Sequence, residues 1–341
     1  MKFGLFVNTE RKHVTFGEAW SEDIAEIVIA DRLGIQEAWV SEHGVTPELL
    51  ITKASALTDQ IRMGPGVRPL PFHHPLQVAI EANATDQLTN GRYMLGLGLG
   101  GPQSGPKAME QRGLDPANQR AMMHEAINYI MTAFAADGPF DFDGKFWHGT
   151  GVELDPPSIQ HPHVPMGIST TGTPSTMELA ARLGIYPIFS QFSTPDEIFA
   201  AGAILEEAGL QSGRPGARSD IRACNFVYVA DSLDQAKADL RESMSESIER
   251  QKVHFAHHFA SQLPPSGRLE DVNFDYLVDA GHYMIGDPDT VYGALKRYYE
   301  TTGGIGVFLL LAGKDYGTLA QRERSWTLLM EEIAPRFEST D

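Results

Sequence analysis

An acidic residue followed by an imidazole, Glu42-His43, closes the apolar run Ala38-Trp39-Val40-Ser41. An imidazole can take or give a proton near neutral pH, and a neighbouring carboxylate is expected to orient it or strengthen its hold on the proton. Position alone does not separate this chemistry from a histidine satisfied at the rim of a fold. A second group, Ser169-Thr170-Thr171-Gly172-Thr173-Pro174-Ser175-Thr176, combines hydroxyls, a glycine and a helix start, with Thr173 as N-cap and Pro174 as first helical residue. Its N–H groups and hydroxyls would cradle an anion without any net positive charge, and plain helix capping accounts for the same residues. A third group, His254, His257 and His258, lies on an expected helix, where His254 and His258 share a face. Spacing ties no further ligand to it, so a solvated helix or lid face is expected rather than a metal site.

Two glycine-containing strands accompany these groups. Gly64 and Gly66 interrupt Arg62-Met63-Gly64-Pro65-Gly66-Val67, which marks a bulge or a place where backbone approaches a ligand. In Tyr93-Met94-Leu95-Gly96-Leu97-Gly98-Leu99 alternate glycines strip one face of side chains, so a flat ring could lie there. This is not a dinucleotide fingerprint, because the glycines sit inside a strand and not on a tight turn into a helix.

Short β-type runs alternate with longer amphipathic stretches, the pattern of parallel βα units. Strands are expected at Lys2–Val7, Glu37–Ser41, Arg62–Val67, Tyr93–Leu99, Met166–Thr170, Tyr186–Ser190, Ile221–Val229 and Gly306–Leu311. Eight strands with intervening helices indicate a (β/α)8 barrel, in which chemistry sits where strands end. Ile24, Ile27, Val28 and Leu33 mark a helical face ending at Gly34, and further helices are expected to begin near Pro47, Pro75, Pro174, Pro195 and Pro288. The last helix is expected from Tyr316 to Ile333. The reading is one domain, 1–341, with insertions near 137–165, a small hairpin or lid, and 259–287, a loop containing Pro264-Pro265-Ser266-Gly267.

The chain of 341 residues is 42% hydrophobic and 21% charged, an ordinary globular composition. Its formal charge of -18, without a compensating basic cluster, argues against nucleic acid and anionic membrane surfaces as partners. No apolar run is long enough to span a bilayer and no signal-peptide pattern opens the chain, so a cytoplasmic location is expected. The single cysteine, Cys224, lies in a strand-like run and reads as structural.

Over nearly its full length the chain resembles the bacterial luciferase-like family of flavin-dependent monooxygenases. The likeness is carried by Met1–Val7, Ala38-Trp39-Val40-Ser41-Glu42-His43, Leu70-Pro71-Phe72-His73-His74-Pro75, Asp86-Gln87-Leu88-Thr89-Asn90-Gly91-Arg92, the Thr171–Thr176 loop, Ile285-Gly286-Asp287-Pro288 and Pro335. The resemblance implies a (β/α)8 TIM barrel in which His43 is catalytic and assists formation or breakdown of a C4a-(hydro)peroxyflavin. It implies a cis peptide at Gly66-Val67 beneath the flavin ring. The cofactor-binding set it suggests is Gly66, Val67, Gly98, Thr170, Thr171, Gly172, Thr173, Thr176, Ser190 and Arg120. Leu99 stands where luciferase itself has a phosphate-binding arginine, and Gly44 replaces a second histidine.

The implied activity is that of a two-component monooxygenase: reduced FMN (FMNH2) from a separate NAD(P)H:flavin reductase reacts with O2 and oxygenates a small, mainly apolar substrate. A homodimer or higher homo-oligomer is expected. Strand-end position suggests Trp39, Phe72, Gln191, Phe192 and residues of the second insertion as the substrate pocket. Hydroxylation, epoxidation, aldehyde oxidation and Baeyer–Villiger insertion all fit. Two other readings are an F420-dependent oxidoreductase that transfers hydride, and a non-catalytic partner subunit of a luciferase-like enzyme.

Overall fold

The structure is a computed structural model, and it describes residues 1–341 except 13, 44, 102, 103, 215–217, 265 and 339–341. Gly44 and Pro265 therefore lie outside the described residues, as does the side chain of His254. The chain divides into two compact units, one of Met1–Gln36 with Thr170–Asp341 and one of Glu37–Ser169.

In the first unit, strand Lys2–Glu10 pairs parallel with Val307–Lys314, which pairs with Arg222–Asn225, which in turn pairs with Tyr186–Phe189. Lys2–Glu10, Val307–Lys314 and Tyr186–Phe189 are rich in aliphatic and aromatic residues, as buried pleated positions require, and the short Arg222–Asn225 buries Ala223 and Cys224. Phe3, Leu5, Val7, Phe308, Leu309 and Leu310 are each at most 2% exposed. Each fully buried side chain of this size stabilises by roughly 1.5–3 kcal/mol, so the Lys2–Glu10 and Val307–Lys314 pair is the spine of this unit. The expected strand Ile221–Val229 is broken in two. Arg222–Asn225 joins the main sheet, whereas Val227–Val229 leaves it to pair with Met284–Gly286. The second insertion thus contains a strand and the short helix Phe274–Asp279, more order than the expected loop.

In the second unit, Glu37–Val40 pairs parallel with Arg62–Pro65, Met63 bridges to Tyr93, Arg68–Pro69 pairs with Leu95–Gly98, and Leu95–Gly98 pairs with strand Met166–Thr170. The expected strand Arg62–Val67 is interrupted where the Gly66–Val67 peptide is cis, as expected. The first insertion is an antiparallel hairpin, Phe140–Asp143 with His148–Val152.

Helix starts follow local chemistry. Pro47, Pro75, Pro174, Pro195 and Pro288 each open a helix, where a missing N–H costs nothing. Thr15 with Glu18, Thr194 with Glu197 and Thr318 with Gln321 form capping boxes, a contribution of about 1 kcal/mol each. Helix Phe16–Arg32 ends as expected, with Gly34 at φ 78° after the Leu33 cap. The last helix differs: Leu319–Leu328 passes into a wider turn, Leu329–Ile333, and Pro335 opens a further short turn instead of terminating the chain's helical path.

Candidate active site

His43 lies three residues beyond the end of strand Glu37–Val40 and its side chain is exposed. Ser41, itself buried, places its Oγ 3.2 Å from His43 Nδ1 and so orients the ring. The expected Glu42-to-His43 arrangement is not what forms. Glu42 turns away: its Oε2 pairs with Arg68 Nε at 2.9 Å and its Oε1 accepts from His73 Nε2 at 2.8 Å. Successive side chains leaving a strand point to opposite sides, which is why neighbours in sequence part company here.

The alternating glycines serve a different purpose from the one expected. A Cβ on Gly96 would lie 1.8 Å from the Pro65 carbonyl oxygen, and one on Gly64 would lie 2.5 Å from that of Met94. A Cβ on Gly98 would lie 2.1 Å from Val67 Cγ2 and 3.1 Å from Ser169 Oγ. The stripped face is thus filled by neighbouring protein, not left open for a ring, and Gly98 admits the Val67 side chain. Trp39, expected in the substrate pocket, is wholly buried, donates its indole N–H to Glu37 Oε2 at 3.1 Å and lies against Gly96. It is core. Phe72 is half-buried in the turn Leu70–Phe72, with the Arg112 guanidinium 4.9 Å from its ring centroid.

In the other unit, the Thr170–Thr176 segment forms a cradle of neutral donors. Gly172, at φ 86°, donates its N–H to Thr170 Oγ1 at 2.9 Å, and Thr173 and Thr176 share a hydroxyl hydrogen bond of 2.9 Å. Thr173 stands at the N-cap of helix Pro174–Leu183, yet its side chain makes no capping hydrogen bond. Capping therefore does not explain these hydroxyls. The donor set suits a phosphate, which would take helix N–H groups and threonine hydroxyls without a buried cation. Thr171, Thr173 and Ser190 are exposed, whereas Thr176 is buried. Arg120 is exposed in the first turn of helix Gln119–Ala135 and has no carboxylate partner among the described residues. The side chains present fit a phosphate-bearing flavin such as FMN.

Within the same unit as the cradle, Gln191 and Phe192 line a narrow hollow with about 20 Å³ of free space, room for about one water molecule. Phe226, Phe259, Gln262 and His282 complete much of its wall, the last three from the second insertion. Phe192 stacks on His258, ring centroids 4.6 Å apart, so His258 is half-buried against an aromatic ring and does not stand free in solvent. Burial, with the charge of His257 adding to it, lowers the pKa of His258. Burial likewise lowers that of His282, opposed by its contact with the Gln262 carbonyl at 3.3 Å. Both imidazoles are thereby held towards the neutral, hydrogen-bonding form. Among the described residues no group of His, Cys, Asp and Glu is arranged to hold a metal, and no helix is long and apolar enough to cross a membrane. Cys224 is buried and burial pushes its thiol up, which suits a packing residue and not a nucleophile.

Ser41, Arg68 and His73 were not assigned roles on sequence grounds. Arg68 carried a signal nonetheless: a lone cation directly after a buried, glycine-containing strand requires partners.

The oxygenating constituent of 3,6-diketocamphane monooxygenase from the CAM plasmid of Pseudomonas putida, a type II Baeyer–Villiger monooxygenase solved with FMN, superposes with a TM-score of 0.86 at 25% identity, covering 98% of each chain. The fold is TIM-barrel-like α/β. A profile of the luciferase-like monooxygenase family matches residues 1–304, and the chain belongs to that family. Its relatives include 4-hydroxyprotoasukamycin monooxygenase of Streptomyces nodosus subsp. asukaensis, 31% identical over 327 residues, covering 90% of this chain and 84% of that protein. Limonene 1,2-monooxygenase of Rhodococcus erythropolis is 27% identical over 328 residues, covering 93% of this chain and 81% of that protein. The chain is a flavin-dependent monooxygenase, an oxidoreductase.

Proposed function

We propose that this chain is the oxygenase component of a two-component system, receiving reduced FMN from a separate NAD(P)H:flavin reductase and oxygenating a small, mainly apolar organic compound. The observation that carries FMN is the helix start at Thr173, not capped by that side chain, with the shared Thr173 and Thr176 hydroxyls, a cradle of neutral donors that suits a phosphate. A cofactor with a long acidic tail, such as F420, would call for cations that a chain of charge -18 does not gather there. The solved relative described above is named as an oxygenating constituent and was solved with FMN, which supports both the cofactor and the reductase partner.

Bound reduced flavin supplies the electrons that activate O2, and the protein supplies position, shielding and proton handling. Gly172, Thr173 and Thr176 would hold the phosphate, with Thr170, Thr171 and Ser190 as further polar contacts. Gly66 and Val67 would meet the ring. His43, oriented by Ser41, is the proton-handling group. The substrate is proposed to contact the aromatic surface at Phe192, where Gln191, Gln262 and His282 offer polar anchor points.

The test is anaerobic titration of the protein with reduced FMN and, separately, reduced F420, followed by rapid mixing with oxygen. Tight binding of reduced FMN and an oxygen-dependent flavin absorbance transient are expected, with turnover falling about 10²-fold or more in His43→Ala. Binding of neither cofactor would sink the reading, and binding of F420 alone would replace it with hydride transfer.

A further inference from the structure

Glu42 sits next to His43 in sequence, yet its carboxylate is committed to a different stretch of chain. Arg68 and His73, its two partners, both belong to the run that follows Gly66-Val67. Arg68 has a side chain only 3% exposed, and its Nη1 is shared by Glu48 at 2.5 Å and Glu81 at 3.0 Å. Its Nη2 lies 3.4 Å from His73 Nδ1, an approach that leaves the other ring nitrogen, Nε2, to donate to Glu42. Tyr93 donates its hydroxyl to Glu48 at 2.8 Å and closes the cluster from a further strand position. The guanidinium is thus fixed from several sides before Glu42 is counted.

Backbone pairing between these two stretches runs out just short of His43. Gly66 donates its N–H to the Val40 carbonyl at 2.7 Å, and Ser41, Glu42 and His43 lie beyond strand Glu37–Val40. The Glu42 carboxylate extends that tie across the gap by side chain.

We infer that Glu42 is a positioning residue: by gripping Arg68 and His73 it fixes the backbone between Ser41 and His43, and so sets where the His43 imidazole stands relative to Gly66-Val67. The inference rests on the reading of His43 as catalytic. Charge counting separates this role from stability. Arg68 faces three carboxylates, so removing Glu42 leaves the cation paired with Glu48 and Glu81 and relieves crowding of like charges.

Two substitutions test it, with one readout that needs no cofactor. In flavin-free protein, ring ¹⁵N shifts of His43 report its hydrogen bonding to Ser41. Glu42→Gln is nearly isosteric and is expected to keep the melting temperature within about 4 °C. It is expected to move the His43 ring shifts towards those of an unrestrained tautomer mixture and to lower kcat by about 10- to 100-fold, with KM within about twofold. Glu42→Asp keeps the charge but is one methylene too short to reach both partners. Positioning predicts that it fails like Gln, whereas a purely electrostatic role predicts that it is restored. Unchanged ring shifts in Glu42→Gln, wild-type behaviour in Glu42→Asp, or a kcat loss that only tracks a fall in folded protein would each overturn the inference. If His43→Ala leaves turnover intact, the catalytic reading fails on its own, while the ring shifts still report whether Glu42 holds His43.

Discussion

Each of the two units buries arginine among carboxylates, and each arranges the pairing differently. In the unit holding both termini, Arg11 lies 3.2 Å from Glu22, 3.1 Å from Asp23 and 2.9 Å from Glu26, and Arg322 pairs with Glu22 and, at 2.7 Å, with Glu26. All three carboxylates come from the one helix Phe16–Arg32. The arginines add backbone bonds, Arg11 to the Lys314 carbonyl at 2.7 Å and Arg322 to that of Gly317 at 2.8 Å, and Gly313 donates its N–H to Glu26 at 2.8 Å. In the unit Glu37–Ser169 a single arginine, Arg68, draws carboxylates from three places: Glu42 beyond a strand, and Glu48 and Glu81 on separate helices. A cluster fed by one helix joins that helix to the end of strand Val307–Lys314. A cluster fed by three segments sets the positions of their ends relative to one another, and one of those ends carries His43. The first is a weld and the second a jig.

Removing the cations should produce the largest effect and expose that distinction. Arg11→Met leaves the wholly buried Asp23 and Glu26 short of one counter-charge, a loss of about 3–5 kcal/mol. Arg68→Met leaves three carboxylates around an apolar side chain, and a loss of the same order is expected. Urea unfolding measures both. Turnover per folded molecule is then expected to survive in Arg11→Met and to collapse in Arg68→Met. Equal losses per folded molecule would erase the contrast between weld and jig.

A smaller effect is expected from single carboxylates. Glu26 has a wholly buried side chain and serves Arg11, Arg322 and the Gly313 N–H at once, so Glu26→Gln should cost roughly 2–3 kcal/mol. Glu42→Gln, at a side chain 18% exposed and dispensable for neutralising Arg68, should cost under about 1 kcal/mol. Equilibrium unfolding of the two variants side by side checks the ordering, and a reversed ordering would make Glu42 the structural residue.

Much of the fold was legible because it depends on local pattern. Strand Met166–Thr170 and the proline-initiated helices follow from hydrophobic alternation and from proline's missing N–H, both readable within a few residues. The hairpin at Phe140–Asp143 and His148–Val152 was equally local. The partner of Glu42 was not, because Arg68 and His73 lie 26 and 31 positions away and adjacency in sequence pointed to His43 instead. Gly96 misled for the same reason. Its one-sided absence of a Cβ is visible in sequence, but whether a ring or the Pro65 carbonyl fills the space depends on the neighbouring strand. Nearness to a strand end suggests a pocket for Trp39, but strand Glu37–Val40 is buried on both faces, which sequence position alone does not show.

The finest distinction between the clusters is expected in their pH response. In the Arg11 cluster two arginines face three carboxylates, so one proton would balance the charge, and burial is the main cause that raises Asp23 from 3.8 to about 7, against the opposing pull of Arg11. The sign follows from proton counting. Between these two values the folded chain holds a proton at Asp23 that the unfolded chain has released, so the contribution of this group to stability falls as pH rises. Below the lower value both states are protonated and the contribution is flat; above the upper value both are ionised and the full penalty applies. The slope approaches about 1.4 kcal/mol per pH unit within the window. Asp23→Asn cannot titrate, and unfolding measured from pH 4 to pH 8 is expected to lose that slope while turnover at pH 7 stays within about twofold. A slope retained in Asp23→Asn would assign the proton to another member of the cluster, and a slope absent from the wild type would mean that the weld runs with all three carboxylates charged.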